Sequence, residues 1–157
     1  MLRKKKINQS LLIFSACALV FILIFIFFSK NIKTNNLKNK TIETKLITNV
    51  HQDLPMKFET NKSIISLVPG KVTSINYSIE NLSNETLVAS ATFQFWPNEL
   101  ESYLTKLNCF CYEEQTLKAG QKQEYPLVLL IDPKVAINPN TKDMDKAIIQ
   151  FTFFKKQ

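Results

Sequence analysis

The sequence predicts an all-β domain, an Ig-like antiparallel β-sandwich, preceded by one N-terminal transmembrane helix. Three observations predict it. Apolar residues recur with a period of two from about residue 55 onward. Turn residues separate these runs at Pro69-Gly70, Asn81-Leu82-Ser83-Asn84, Ala119-Gly120 and Asn138-Pro139-Asn140. Ahead of them stands one uncharged apolar run, residues 11–28. Side chains alternate faces along a strand, so a period of two marks a half-buried strand. Several short strands between turns mark a sandwich.

Residues 1–10 form a basic head carrying Arg3, Lys4, Lys5 and Lys6. The apolar run that follows reaches the length needed to cross a bilayer, and residues 11–29 are read as a transmembrane helix. A cleaved signal peptide would have a shorter apolar core and a small-x-small site. This run ends instead in Phe27-Phe28-Ser29-Lys30, as an uncleaved signal-anchor does. Residues 30–50, rich in Lys, Asn and Thr, read as a polar tether. Within it Ile42, Leu46 and Val50 offer an imperfect candidate strand. The domain proper is assigned to 51–157. Ile75, Tyr77 and Ile79 form one strand face. Leu87, Ala89, Ala91, Phe93 and Phe95 form a second, Tyr125, Leu127, Leu129 and Ile131 a third, and Ile149, Phe151 and Phe153 the last. Between the second and third, Pro97 to Leu104 reads as a helical turn leading to Cys109.

The formal charge of +7 is unevenly placed. Residues 1–50 hold nine Lys/Arg against Glu43 alone, while residues 51–157 hold eleven Lys against twelve Asp/Glu. The positive charge therefore flanks the apolar run and suits a lipid membrane surface, not nucleic acid. Basic residues stand on both sides of the run. The denser head favours a cytoplasmic N-terminus. Only two glycines are present, Gly70 and Gly120, so there is no Gly-rich phosphate loop. Glu113, Glu114 and Asp132 have no positioned nucleophile or base beside them, and the chain is read as a non-enzyme.

The stretch with chemistry is Asn108-Cys109-Phe110-Cys111-Tyr112-Glu113-Glu114-Gln115. On a strand, residues i and i+2 share a face, with Cα atoms roughly 6.5–7 Å apart. That is the outer edge of disulfide reach. A soft monovalent ion between two thiolates suits the spacing better, and Cu(I) is the ion that favours them. A structural zinc site needs four ligands, and one Cys pair with one His does not supply them. Two cysteines can also be small buried hydrophobes. His51, Met56 and Met144 are further possible ligands, with surface and packing roles as their ordinary alternatives. Cys17 lies in the middle of the apolar run.

The run Cys109-Phe110-Cys111-Tyr112-Glu113-Glu114-Gln115-Thr116-Leu117, then Gly120, Tyr125-Pro126-Leu127 and Ile131-Asp132-Pro133, resembles the signature of the CtaG family of cytochrome c oxidase assembly proteins. Upstream, Leu54-Pro55-Met56-Lys57-Phe58, Val68-Pro69-Gly70, Ala91-Thr92-Phe93 with Pro97, and Tyr103 with Lys106 fall in register. The likeness spans about residues 54–154. It implies an Ig-like domain and a copper chaperone that loads the CuB centre of cytochrome c oxidase subunit I. It implies Cys109 and Cys111 as the metal ligands and Cu(I) as the cargo. The implied partner is subunit I, with an upstream copper donor; an oxidising compartment would add a thiol reductase, and one Cys pair leaves Cu(I) under-coordinated, so a second copy could share the copper. The implied location is a bacterial inner membrane with the domain in the periplasm, or the mitochondrial inner membrane, which the single Arg of the head makes the lesser choice. The family's third cysteine, just past the membrane helix, is absent; Ser29 stands near its place.

Overall fold

The computed structural model describes residues 17–27 and 40–156. Residues 17–27 are helical and expose their apolar side chains. The rest of the anticipated span, with residues 1–10 and most of the tether, lies outside the described residues. Among the described residues no helix is long and apolar enough to cross a membrane. The second compact unit begins at Asn39.

That unit is a two-sheet β-sandwich. Its strands are β1 (Ile42–Val50), β2 (Met56–Thr60), β3 (Ile64–Leu67), β4 (Val72–Asn81), β5 (Leu87–Trp96), β6 (Leu104–Asn108), β7 (Gln115–Leu117), β8 (Lys122–Ile131) and β9 (Lys146–Lys155). One sheet runs β3-β1-β9-β5-β7, the other β2-β4-β8-β6. The alternating faces read from the sequence are the buried ones. Ile75, Tyr77 and Ile79 of β4 and Leu127, Leu129 and Ile131 of β8 meet Ala89, Ala91 and Phe95 of β5 and Ile149, Phe151 and Phe153 of β9 in one core.

Two expectations need correction. Residues 42–50 are not tether. They form β1, inserted between β3 and β9, with Ile42 and Leu46 buried. Nor is the sandwich wholly antiparallel, because β1 runs parallel to β9 from Glu43↔Lys146 to Val50↔Phe153. The two belong to opposite ends of the domain, so no hairpin constrains their direction. Lys40 secures the start of β1 by donating to the carbonyls of Lys142 and Met144.

The turns fall where glycine and proline place them. Gly70 has φ +79°, and Lys71 N donates to Val68 O at 3.0 Å across the turn. A Cβ at Gly70 would stand 3.1 Å from Pro133 Cγ, so both conformation and space select glycine. Asn81, fully buried, clamps the β4–β5 connection. Its Nδ2 donates to the carbonyls of Glu85, Leu117 and Lys118, and its Oδ1 accepts from Ser83.

Candidate functional site

β6 delivers the cysteines. It ends at Asn108, and a 3-10 turn, Phe110–Tyr112, follows with Cys109 as its N-cap. Tyr112 N donates to Cys109 O at 3.2 Å. The i, i+2 pair therefore does not share a strand face. The turn shortens the Cα–Cα distance to 5.1 Å, well inside disulfide reach. Cys109 and Cys111 are joined by a disulfide, S–S 2.07 Å, which corrects the strand-based spacing. Cys109 is buried and Cys111 half-buried, so the two sulfurs differ in access.

Phe110 anchors the turn. Its ring lies 4.7 Å from that of Phe151, 5.5 Å from Tyr77, 5.8 Å from Tyr125 and 5.9 Å from both Phe58 and Phe153. These separations lie in the range of favourable aromatic pairs. The backbone is held from the far side by Gln115, whose Nε2 donates to Phe110 O at 2.9 Å and Glu113 O at 3.2 Å. Gln115 is itself buried, so both carbonyls have a partner that water would otherwise supply. A hollow of about 280 Å³ opens beside the pair, lined by Cys109, Phe110, Tyr112, Tyr125 and Pro126 among others.

One residue sequence reasoning did not single out as a site residue stands against the pair. Lys106 of β6 places Nζ 4.0 Å from Cys111 Sγ. The same ammonium lies 4.3 Å from the centre of the Phe93 ring and 5.3 Å from that of Tyr112. Tyr112 donates its hydroxyl to Lys106 O at 3.0 Å, which ties the turn back onto β6. Burial pushes the Lys106 ammonium below its ordinary range, and Glu101 partly offsets this. Its spacing, three residues before Cys109, was the available signal.

The other candidates go elsewhere. His51 is exposed, 3.3 Å from Asp53, beside a separate hollow with Phe154. Met56 is buried core opposite Asn81, and Met144 packs against the core edge. Glu114 pairs with Lys156, and Asp132 caps the turn Pro133–Ala136 by accepting from Lys134 N at 2.8 Å. Cys17 is a free, exposed cysteine of the helical segment. Among the described residues no three His, Cys, Asp or Glu side chains converge as a metal cluster.

The sequence model of the family described as cytochrome c oxidase assembly protein CtaG/Cox11 matches residues 25–155, from the apolar run through the last strand. The chain belongs to this family. It is 34% identical over 116 residues to the mitochondrial cytochrome c oxidase assembly protein COX11 of Saccharomyces cerevisiae, covering 74% of this chain and 39% of that one. It is 33% identical over 115 residues to CtaG of Bradyrhizobium diazoefficiens, 73% of this chain and 54% of that one. With CtaG of Brucella ovis it shares 31% over 121 residues, 77% and 60% of the two chains. The chain thus spans between two fifths and three fifths of the length of these CtaG/Cox11 relatives. The matched region contains all nine strands and the cysteine turn, so the site described above lies wholly within the CtaG/Cox11 part.

Proposed function

We propose that this CtaG/Cox11 chain is a copper chaperone, not an enzyme. Its Ig-like domain is held at a bacterial inner membrane by residues 11–29, with the N-terminus cytoplasmic and the domain periplasmic. Cu(I) is the cargo, carried by the thiolates of Cys109 and Cys111 and passed to the CuB centre of cytochrome c oxidase subunit I. The observation that carries the reading is the pair itself. Two sulfurs already at bonding distance sit on a turn pinned by Phe110 and Gln115, within the region that matches an oxidase-assembly family.

The chemistry follows from the donors. The disulfide must first accept two electrons and two protons from a dithiol reductase, whose own sulfurs become a disulfide. Cu(I) then replaces the two thiol protons, leaving a bis-thiolate copper centre of net charge −1. Lys106, beside Cys111, supplies a compensating positive charge. Two ligands leave Cu(I) open to a further soft donor. That opening is where a partner's ligand, or the pair of a second copy, joins before the first pair lets go. Transfer by such exchange needs no redox step at copper.

The test is Cu(I) binding by the full chain in detergent under reducing conditions, beside a Cys109→Ser/Cys111→Ser variant. Copper should bind the native chain near one ion per Cys pair and be lost in the variant, and native mass should show whether copper joins two chains. Binding equal to the variant's background would leave a metal-free module. The disulfide itself favours one second reading, a thiol-redox helper that reduces a partner's metal site. On that reading the half-buried Cys111, left alone in a Cys109→Ser variant, would trap a mixed disulfide with the partner. Tight copper without such an adduct would exclude it.

A further inference from the structure

The outer face of the five-stranded sheet carries an apolar row that the core does not need. Ile64 of β3 is paired with Lys45 of β1, Lys45 with Ile148 of β9, and Ile148 with Trp96 of β5. The four lie side by side across four adjacent strands. Their neighbours in sequence, Ile65, Phe95, Ala147 and Ile149, point into the core, so these point out. Trp96 is 45% exposed, Ile64 54% and Ile148 36%. They line a hollow of about 520 Å³ completed by Pro97, Glu43 and Lys146.

We propose that this row is a lipid contact, by which the domain lies against the bilayer that anchors it. The inference rests on the membrane-anchor part of the proposed function and is independent of copper. Three observations select lipid as the occupant. First, the tether runs into β1, whose Glu43 and Lys45 line the hollow. The roughly 13 residues between the apolar run and β1 can span at most about 45 Å. The start of β1 is therefore never farther than that from the proposed anchor, which raises the local concentration of the row at the bilayer as tethering does. Second, the row is small. Four strands at about 4.8 Å spacing span roughly 14 Å, and a row one side chain (about 7 Å) deep covers on the order of 100 Å², against the about 800 Å² per partner that a stable protein interface buries. Third, the chemistry is interfacial. A tryptophan beside two isoleucines, with two lysines lining the same hollow, is the composition found at the headgroup level. Lys45 and Lys146 outnumber Glu43 in the lining by one charge only, so the contact is mainly apolar in origin.

Trp96 is the only tryptophan of the chain, so its emission reports on this row alone. The experiment uses the full chain reconstituted into phosphatidylcholine vesicles with and without brominated acyl chains, and repeated with a quarter phosphatidylglycerol. The expected result is co-flotation with the vesicles, with Trp96 emission at least about halved by bromination in both compositions. An Ile64→Ser/Ile148→Ser variant, altered only on the exposed face, should still float and still bind Cu(I), yet lose most of the quenching. Flotation with emission indifferent to bromination would overturn the lipid contact and leave the anchor standing. Emission that shifts with protein concentration, not with bromination, would assign the row to a second copy instead. Failure to float would sink the anchor reading, and this contact with it.

Discussion

Lys106 shows what a single side chain would add to the proposed two-thiolate site. Its ammonium is held 4.0 Å from Cys111 Sγ by contacts with two rings, not by a carboxylate. A bis-thiolate copper centre carries one negative charge, and at this distance a partly exposed cation stabilises it by a few kcal/mol at most. Lys106→Met should therefore weaken Cu(I) binding about tenfold, the effect of roughly 1.4 kcal/mol, while Lys106→Arg keeps most of it. Competition with a chromophoric Cu(I) chelator reads the difference; equal affinity for Met and Lys would remove the electrostatic role. Gln115 acts on shape instead. Gln115→Ala leaves two carbonyls of the turn without their donor and should cost about 1–3 kcal/mol, seen as a lower melting temperature. The sequence showed where the two cysteines stand but not their geometry. The strand period ends at Asn108, and a 3-10 turn brings the two Cα atoms to 5.1 Å where a strand would hold them apart. Lys106 was visible as a residue, but its approach to Cys111 depends on that same turn.

At the scale of elements, β1 decides where the domain begins. Its alternation is Ile42, Thr44, Leu46, all buried, and Thr44 is what blurs the apolar signal. The hydroxyl is accommodated by donating to Ile42 O at 3.2 Å, so a polar residue sits in the core without an unmet donor. The parallel register with β9 could not be read at all, since it joins residues about a hundred positions apart and no turn chemistry marks it. The four central strand faces were legible because one buried face and one solvated face impose a strict period of two. A chain beginning at residue 51 loses the eight register pairs of β1 with β9 and the burial of Ile42 and Leu46. Each such side chain contributes about 1.5–3 kcal/mol, against a net stability of order 5–15 kcal/mol. That chain should show no cooperative thermal transition, whereas one beginning at residue 40 should melt cooperatively. A sharp transition in the shorter chain would mean that β1 is dispensable.

For the whole molecule the question is whether the fold survives the chemistry proposed for it. Copper can bind only after the disulfide opens, so the reduced domain must keep the turn in place. Two features say that it does. The cross-link closes a loop of three residues, and chain entropy for so short a loop amounts to only about 1.6 kcal/mol. The turn is fixed independently by Phe110, packed among five aromatic rings, and by Gln115. Reduction should therefore lower the melting temperature by less than about 8 °C for a domain of this size, with the transition still cooperative. Phe110→Ala should do far more. It opens a cavity at the centre of the aromatic cluster and costs about 3–5 kcal/mol, with or without reductant. The decisive comparison is calorimetry of the native chain, oxidised and reduced, beside Phe110→Ala in both states. A small redox effect under a large Phe110 effect means that packing holds the site, and the sulfurs are free to exchange bonds. If reduction alone abolished the transition, the sulfur bridge would be structural, and a pair committed to holding the fold could not also carry copper.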